Sequence, residues 1–177
     1  SGFSLIAKAL SKKPNIKLKI LVGIETDQDT HELVNENLRK RKYFDRLSNE
    51  VLEKDILDNR DEEDAYFIFK KKIKDGTLEI KQSNNIDHTK EYIFKFNNKL
   101  SKTLSLKGQV FGGSFNISKS GLKSNSETAY LMTNPDDYDG AMSDFKDSWE
   151  KSIFILNKSN FGDFEKVIKK FPFEQNP

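Results

Sequence analysis

Five residues of the chain, in a set order along the sequence, have types that suit chemistry on a phosphate group. The set comprises His88, Lys90, Ser114, Asn116 and Glu127. It offers a nucleophile, a cation, two neutral hydrogen-bonding groups and a carboxylate. Because residues two apart on a strand point to the same side, we expect His88 to project with Lys90, and Ser114 with Asn116.

Three predicted strands would position this set. One covers residues 91–96, directly after Lys90; a second covers 107–112; a third covers 128–132, directly after Glu127. Gly112 and Gly113 end the second strand, and glycine allows the close backbone approach that a phosphate contact needs. Three adjacent strands would therefore deliver the whole set to one place.

The other elements indicate the fold class. The spacing of apolar residues predicts a helix over 3–10, a strand over 16–24, one or two helices over 28–60, a helix over 61–75 and a strand over 78–80. Asn97-Asn98 predicts a turn, and 137–152 predicts a helix with Met142, Phe145 and Trp149 on its inner side, joined there by Phe154 just after its end. This order favours an α/β fold with a mixed central β-sheet flanked by helices. We expect a single domain over 1–170 and a tail or linker over 171–177.

Composition excludes several classes of chemistry. The 177 residues include no cysteine and only two histidines, so disulfides, thiolate metal sites and cysteine nucleophiles are ruled out. No apolar run approaches the roughly 18 residues of a membrane helix. Residues 88–125 hold seven lysines and one glutamate, a net of +6, whereas 126–150 hold seven acidic residues and one lysine, a net of −6. The basic segment indicates a local anion site.

The ordered pattern resembles the phospholipase D superfamily, in particular bacterial phospholipase D-like nuclease domains found in restriction endonucleases or fused to helicases. The superfamily pattern is HxK, then GSxN, then an acid; here it stands as His88-Thr89-Lys90, Gly113-Ser114-Phe115-Asn116 and Glu127. The likeness is strongest over 88–132 and extends over 1–150. The longer motif often has Asp five residues after the lysine, where this chain has Lys95, which argues against a lipid-hydrolysing member.

The resemblance implies a phospholipase D-like fold and a phosphodiesterase that cuts DNA without a metal ion or other cofactor. His88 would attack phosphorus and form a phosphohistidine. Lys90, Ser114 and Asn116 would bind the phosphoryl oxygens, and Glu127 would orient His88. Further substrate contacts are expected from Lys95, Gly113 and Lys119.

A second histidine must protonate the leaving oxygen. His31 lies in a charged helical stretch without a lysine two residues on, so we expect a C2 homodimer through the active-site face, with two copies of His88 opposed. The other expected partners are DNA and, in a longer protein, helicase or DNA-recognition domains. We expect a cytoplasmic location and no membrane contact.

Two other functions use the same residues. One is a lipid-directed phospholipase D-type hydrolase, and the other is a non-catalytic nucleic-acid-binding module. Ser114 and Asn116 also suit a plain turn, and Lys95, Lys99 and Lys102 also suit a solvated face. Asp136-Asp137 could be confused with Glu127 as the acid of the pattern.

Overall fold

A computed structural model of the chain describes residues 2–23, 60–83, 90–113 and 128–168. These ranges hold five helices and six strands. In chain order they are α1 (Gly2–Lys12), β1 (Leu18–Val22), α2 (Arg60–Lys74), β2 (Leu78–Gln82), β3 (Glu91–Lys95), α3 (Asn98–Leu104), β4 (Gly108–Gly113), β5 (Ala129–Met132), α4 (Pro135–Glu150), β6 (Ile153–Leu156) and α5 (Phe161–Ile168).

The described strands form two three-stranded sheets. In the mixed sheet, β2 lies between β1, to which it is parallel, and β6, to which it is antiparallel. In the antiparallel sheet, β4 lies between β3 and β5. The expected α/β class is confirmed, but the described strands do not form the single central sheet expected from the sequence. The physical reason lies in the backbone hydrogen bonds. Strands β3, β4 and β5 are close in sequence and form antiparallel hydrogen bonds with one another, whereas β2 forms its hydrogen bonds with β1 and β6.

The main hydrophobic core lies between the mixed sheet and the helices α2 and α5. Leu78 and Ile80, two apart on β2, are buried with Ile73 of α2 and Phe164 of α5. Glu165 of α5 forms salt bridges to α2: its carboxylate lies 2.8 Å from the ammonium of Lys70 and 3.1 Å from that of Lys74. Helix α1 packs against α2 and buries Ala7 and Leu10.

The end of α2 follows directly from its sequence. Gly76 adopts a left-handed φ of +71°, which glycine tolerates without strain. Its N–H donates to the carbonyl of Ile73 at 2.9 Å, and the N–H of Thr77 donates to the carbonyl of Lys72 at 2.8 Å. This pair of bonds is the Schellman arrangement that satisfies the last carbonyls of a helix. The helix predicted over 61–75 and its glycine stop are thereby confirmed.

Helix α4 contacts both sheets. Near its start, Tyr138 is buried beside Gly108 of β4, where a Cβ would overlap the Tyr138 ring and the carbonyl oxygen of Phe94. At its other end, Trp149 packs edge-on against Phe154 of β6, with ring centroids 6.1 Å apart. The two sheets therefore share one helix as a common packing partner.

Two local predictions differ from the structure, and one helix was not predicted. Asn97-Asn98 begins α3 instead of a turn, because the Asn97 side chain accepts a 2.8 Å hydrogen bond from the N–H of Leu100 and caps the helix. Phe154 lies on β6 and not on the helix before it, and α5 was not predicted. The predictions for 28–59 and 171–177 fall outside the described residues.

Candidate functional site

Three of the eight predicted site residues lie in the described part of the chain: Lys90, Lys95 and Gly113. The other five lie outside it, and their predictions stay predictions: His88, Ser114, Asn116, Lys119 and Glu127.

Lys90 and Gly113 meet at one end of the antiparallel sheet. The N–H of Gly113 donates to the carbonyl of Lys90 at 3.3 Å, which extends the pairing of β3 with β4 by one residue. On the other side of β4, Gly113 pairs with Ala129, the first residue of β5. The start of β3, the end of β4 and the start of β5 therefore lie side by side.

The predicted catalytic residues that lie outside the described ranges are close in sequence to the three paired residues Lys90, Gly113 and Ala129. In the sequence, His88 stands two residues before Lys90, Ser114 directly after Gly113, and Glu127 two residues before Ala129. Neighbouring strands lie about 4.8 Å apart. Three segments distant in sequence therefore join the antiparallel sheet at one end, as the three predicted strands imply.

The side of the sheet that carries Lys90 is aromatic. Tyr92 and Phe94 follow Lys90 at intervals of two, so all three project from the same side of β3. Phe111 of β4 lies on that side as well, since its ring meets the Phe94 ring edge-on at a centroid distance of 5.5 Å. Leu131 of β5 pairs with Phe111. We call Tyr92, Phe94, Phe111 and Leu131 the aromatic face.

Lys95 does not join Lys90. It is the last residue of β3, five residues from Lys90, which corresponds to about 17 Å along an extended strand. The odd interval also directs the two side chains to opposite sides of the sheet. Lys95 is exposed, so the contact predicted for it would be with a more distant part of a long substrate.

Two buried lysines were not predicted from the sequence. Lys72 is 3% exposed and donates to the carbonyls of Pro14, at 3.0 Å, and Ile16, at 2.7 Å. Lys81 is 7% exposed and donates to the carbonyl of Trp149 at 2.7 Å. Burial lowers the pKa of both ammonium groups, and for Lys81 the nearby charge of Lys19 acts in the same direction. Both bond to backbone oxygens, which fits a role in holding segments together.

The described residues contain neither a cluster of metal ligands nor a membrane-spanning helix. There, no group of three or more histidine, aspartate or glutamate side chains is arranged to hold a metal ion. No helix within residues 2–23, 60–83, 90–113 and 128–168 has the length and apolar character needed to cross a membrane.

No protein-family model matches the chain, and no curated protein matches it.

Proposed function

We propose that the chain is a phospholipase D-like phosphodiesterase that cleaves DNA without a metal ion and acts as a homodimer. His88 is the nucleophile. The observation that carries the proposal is the meeting of Lys90, Gly113 and Ala129 at one end of the antiparallel sheet. Lys90 belongs to the HxK part of the pattern, Gly113 belongs to the GSxN part, and Ala129 lies two residues after the acidic residue Glu127. A site assembled from three strands needs this convergence.

The proposed reaction has two steps. The His88 imidazole attacks phosphorus, forming a nitrogen–phosphorus bond while the bond to the leaving oxygen breaks; the partner's His88 gives that oxygen a proton. Water then attacks the phosphohistidine, gives a proton back to the partner's His88 and releases the phosphate product. Lys90, Ser114 and Asn116 bind the phosphoryl oxygens. Glu127 accepts the other ring N–H of His88.

The test is cleavage of plasmid and single-stranded DNA in excess EDTA by the wild type, His88→Ala and His31→Ala. The chain has only these two histidines, so His31→Ala is the matched control. We expect the wild type and His31→Ala to cleave in EDTA and His88→Ala to be inactive. Loss of wild-type cleavage in EDTA would overturn the metal-free mechanism. Retained cleavage by His88→Ala would overturn the assignment of the nucleophile.

Inactivity of all three proteins on DNA would count against a nuclease. The same proteins are then assayed on phosphatidylcholine vesicles, since a lipid-directed enzyme would use the same residues. Hydrolysis of the lipid by the wild type and not by His88→Ala would replace DNA with a lipid substrate. Inactivity on both substrates would leave a non-catalytic module.

The homodimer has its own test. Wild-type protein is mixed with increasing amounts of His88→Ala, with DNA kept in excess over total protein. If each site needs a histidine from both copies, exchange of subunits should reduce activity in proportion to the fraction of mixed dimers. An equal excess of His31→Ala should not reduce it. Activity unaffected by His88→Ala would show that one copy is sufficient.

A further inference from the structure

Met132, the last residue of β5, covers the backbone of Gly112 on β4. The methyl carbon Cε of Met132 lies 3.4 Å from the position that a Cβ on Gly112 would occupy. Gly112 is buried, whereas Met132 is partly exposed. Methionine is flexible and fills irregular gaps in protein cores. Its side chain here lies in the space that the missing side chain of Gly112 leaves.

This contact lies on the side of the antiparallel sheet that faces α4. Burial alternates along β4, so that Gly108, Val110 and Gly112 are buried and the residues between them are less so. A Cβ on Gly108 would meet the Tyr138 ring of α4, and residues two apart share a side of the sheet. Met132 pairs with Val110, which is 0% exposed. The Met132 side chain therefore lies beside this core, on the side opposite the aromatic face.

Gly112 directly precedes the GSxN part of the pattern, which begins at Gly113. It pairs with Glu91 of β3 and with Tyr130 of β5. The next pair along β4 joins Gly113 to Ala129. The cover that Met132 provides therefore lies one residue from the end of the sheet on which the proposed function depends.

The thioether of Met132 makes this cover sensitive to oxidants. The chain has no cysteine and two methionines, Met132 and Met142, so thioethers are its only sulfur groups. Hydrogen peroxide transfers one oxygen atom to a thioether and leaves as water; the sulfur loses two electrons and the peroxide gains them. The product, methionine sulfoxide, is polar and disrupts apolar packing.

A sulfoxide at Met132 would disturb the contact with Gly112. Its oxygen would lie beside the apolar side chain of Val110, and a buried acceptor without a donor is unfavourable. We expect the oxidised side chain to turn toward solvent. Water would then reach the backbone of Gly112 and compete for the hydrogen bonds at the end of β4.

We propose that Met132 is a site of reversible oxidation that inactivates the proposed site. In the reduced protein its methyl group stabilises the end of β4, and in the oxidised protein Gly112 is uncovered. Methionine sulfoxide reductases restore the thioether, so the change is reversible. The inference rests on the proposed function for its effect on DNA cleavage, whereas the oxidation and the loss of stability do not depend on that function.

The experiment treats the folded protein with hydrogen peroxide in EDTA and then removes the peroxide with catalase. Peptide mass spectrometry measures the oxidised fraction of each methionine, thermal unfolding measures stability, and DNA cleavage in EDTA measures activity. Met132→Leu removes the sulfur and nearly conserves the volume. The matched control is Met142→Leu on α4, where the residue is also partly exposed. Met132→Gln introduces a polar group at the same place without peroxide.

We expect oxidation of Met132 to lower the unfolding temperature by about 2–10 °C and DNA cleavage by between about tenfold and a hundredfold. Met132→Leu should resist peroxide in both measurements, and Met142→Leu should remain as sensitive as the wild type. Met132→Gln should show both losses without peroxide. Methionine sulfoxide reductases with dithiothreitol should restore the oxidised wild type.

Three results would overturn the inference: no oxidation of Met132 in the folded protein, full stability and activity after its oxidation, or equal protection by Met142→Leu. Failure of the proposed function is a separate result. In that case no protein would cleave DNA, or cleavage would not depend on His88. The fall in unfolding temperature, and its prevention by Met132→Leu, would remain.

Discussion

The ammonium of Lys81 donates a 2.7 Å hydrogen bond to the backbone carbonyl of Trp149 and lies 4.9 Å from the centre of the Trp149 ring. The same ammonium lies 4.3 Å from the Phe154 ring centre. One side chain of β2 therefore binds both the last turn of α4 and the aromatic rings that pack beneath it. A cation near the C-terminal end of a helix also opposes the negative end of the helix dipole.

Replacement of Lys81 should destabilise the protein. We expect Lys81→Met to lower the free energy of unfolding by about 1–2 kcal/mol, because it removes a charged hydrogen bond and cation–π contacts but keeps the apolar stem. Lys81→Ala should cost about 3 kcal/mol, since it also leaves a cavity. Urea unfolding measures both. Lys166→Met, at a lysine whose side chain is 79% exposed, should change stability by less than about 0.5 kcal/mol. A Lys81→Met protein as stable as the parent would show that burying the charge costs as much as its contacts contribute.

Two glycines should respond to alanine in opposite directions. Gly108→Ala would force a Cβ into the Tyr138 ring and the Phe94 carbonyl oxygen, so we expect a loss of about 2–4 kcal/mol as α4 and β3 move apart. Gly140 lies inside α4 with nothing within 4 Å of an added Cβ. Gly140→Ala should therefore raise stability by about 0.5–1 kcal/mol. Thermal unfolding of the two variants tests this, and a similar change in both would contradict the close approach of α4 to β4.

Glu165 should make stability depend on pH in the acidic range. Hydrogen bonds from Lys70, and then from Lys74, hold the pKa of the Glu165 carboxyl below its usual range. A lowered folded-state pKa adds stability that is present above about 4.5, the ordinary pKa, and is lost as the pH falls through the folded-state value.

We therefore expect Glu165→Gln to cost about 1 kcal/mol at pH 7, and the difference from the parent to shrink toward zero at acidic pH. Urea unfolding at several pH values measures the difference. Asp144→Asn, at an exposed carboxylate of α4, should cost less than about 0.5 kcal/mol at pH 7. A Glu165→Gln deficit that stayed constant with pH would show that the ion pairs do not cause it.

Lys90 and Lys95 should differ in their effects on DNA cleavage. We expect Lys90→Met to lower the rate at saturating DNA by about 10²–10³, the usual effect of removing a group that binds the reacting oxygens. Lys95→Met should instead weaken binding a few-fold and reduce the salt dependence by about one phosphate contact, with little change in rate. Both variants should have the thermal unfolding temperature of the parent protein. Equal losses of rate would then contradict the placement of Lys90 and Lys95 on opposite sides of the antiparallel sheet.

The strands that carry the candidate site were predictable from local residues. Those predicted over 91–96, 107–112 and 128–132 are present as β3, β4 and β5, because β-branched and aromatic residues bounded by turn residues indicate strands. Their pairing accounts for the meeting of Lys90 with Gly113. The position of Lys95 could also have been predicted, since an interval of five residues reverses the side of a strand.

Helix α3 and strand β6 were not predicted because their sequences fit more than one kind of secondary structure. Asn97 suits a turn and a helix cap equally well, because one side-chain oxygen performs both functions; Leu100 and Leu104, four residues apart, were the signal for α3. The four apolar residues Ile153–Leu156 directly follow a helix, and so short a run does not distinguish a strand from a continued helix.

The burial of Lys81 had no signal in the sequence. Its partner is the backbone carbonyl of Trp149, 68 residues away. Every residue has a backbone carbonyl, so this pairing depends on the tertiary structure alone. The same holds for Lys72, whose partners are the carbonyls of Pro14 and Ile16.

The contact of α4 with both sheets has a consequence for how the protein opens in solution. Tyr138 and Trp149 lie near opposite ends of α4 and pack against different sheets. Neither sheet can therefore separate from α4 without exposing part of the helix to solvent. We expect the backbone amides of Ile80 and Val110, on the two central strands, to exchange with deuterium through one shared unfolding event. The amides of the antiparallel sheet, which carries Lys90, would then be protected from exchange by the hydrophobic core of the mixed sheet, on the other side of α4.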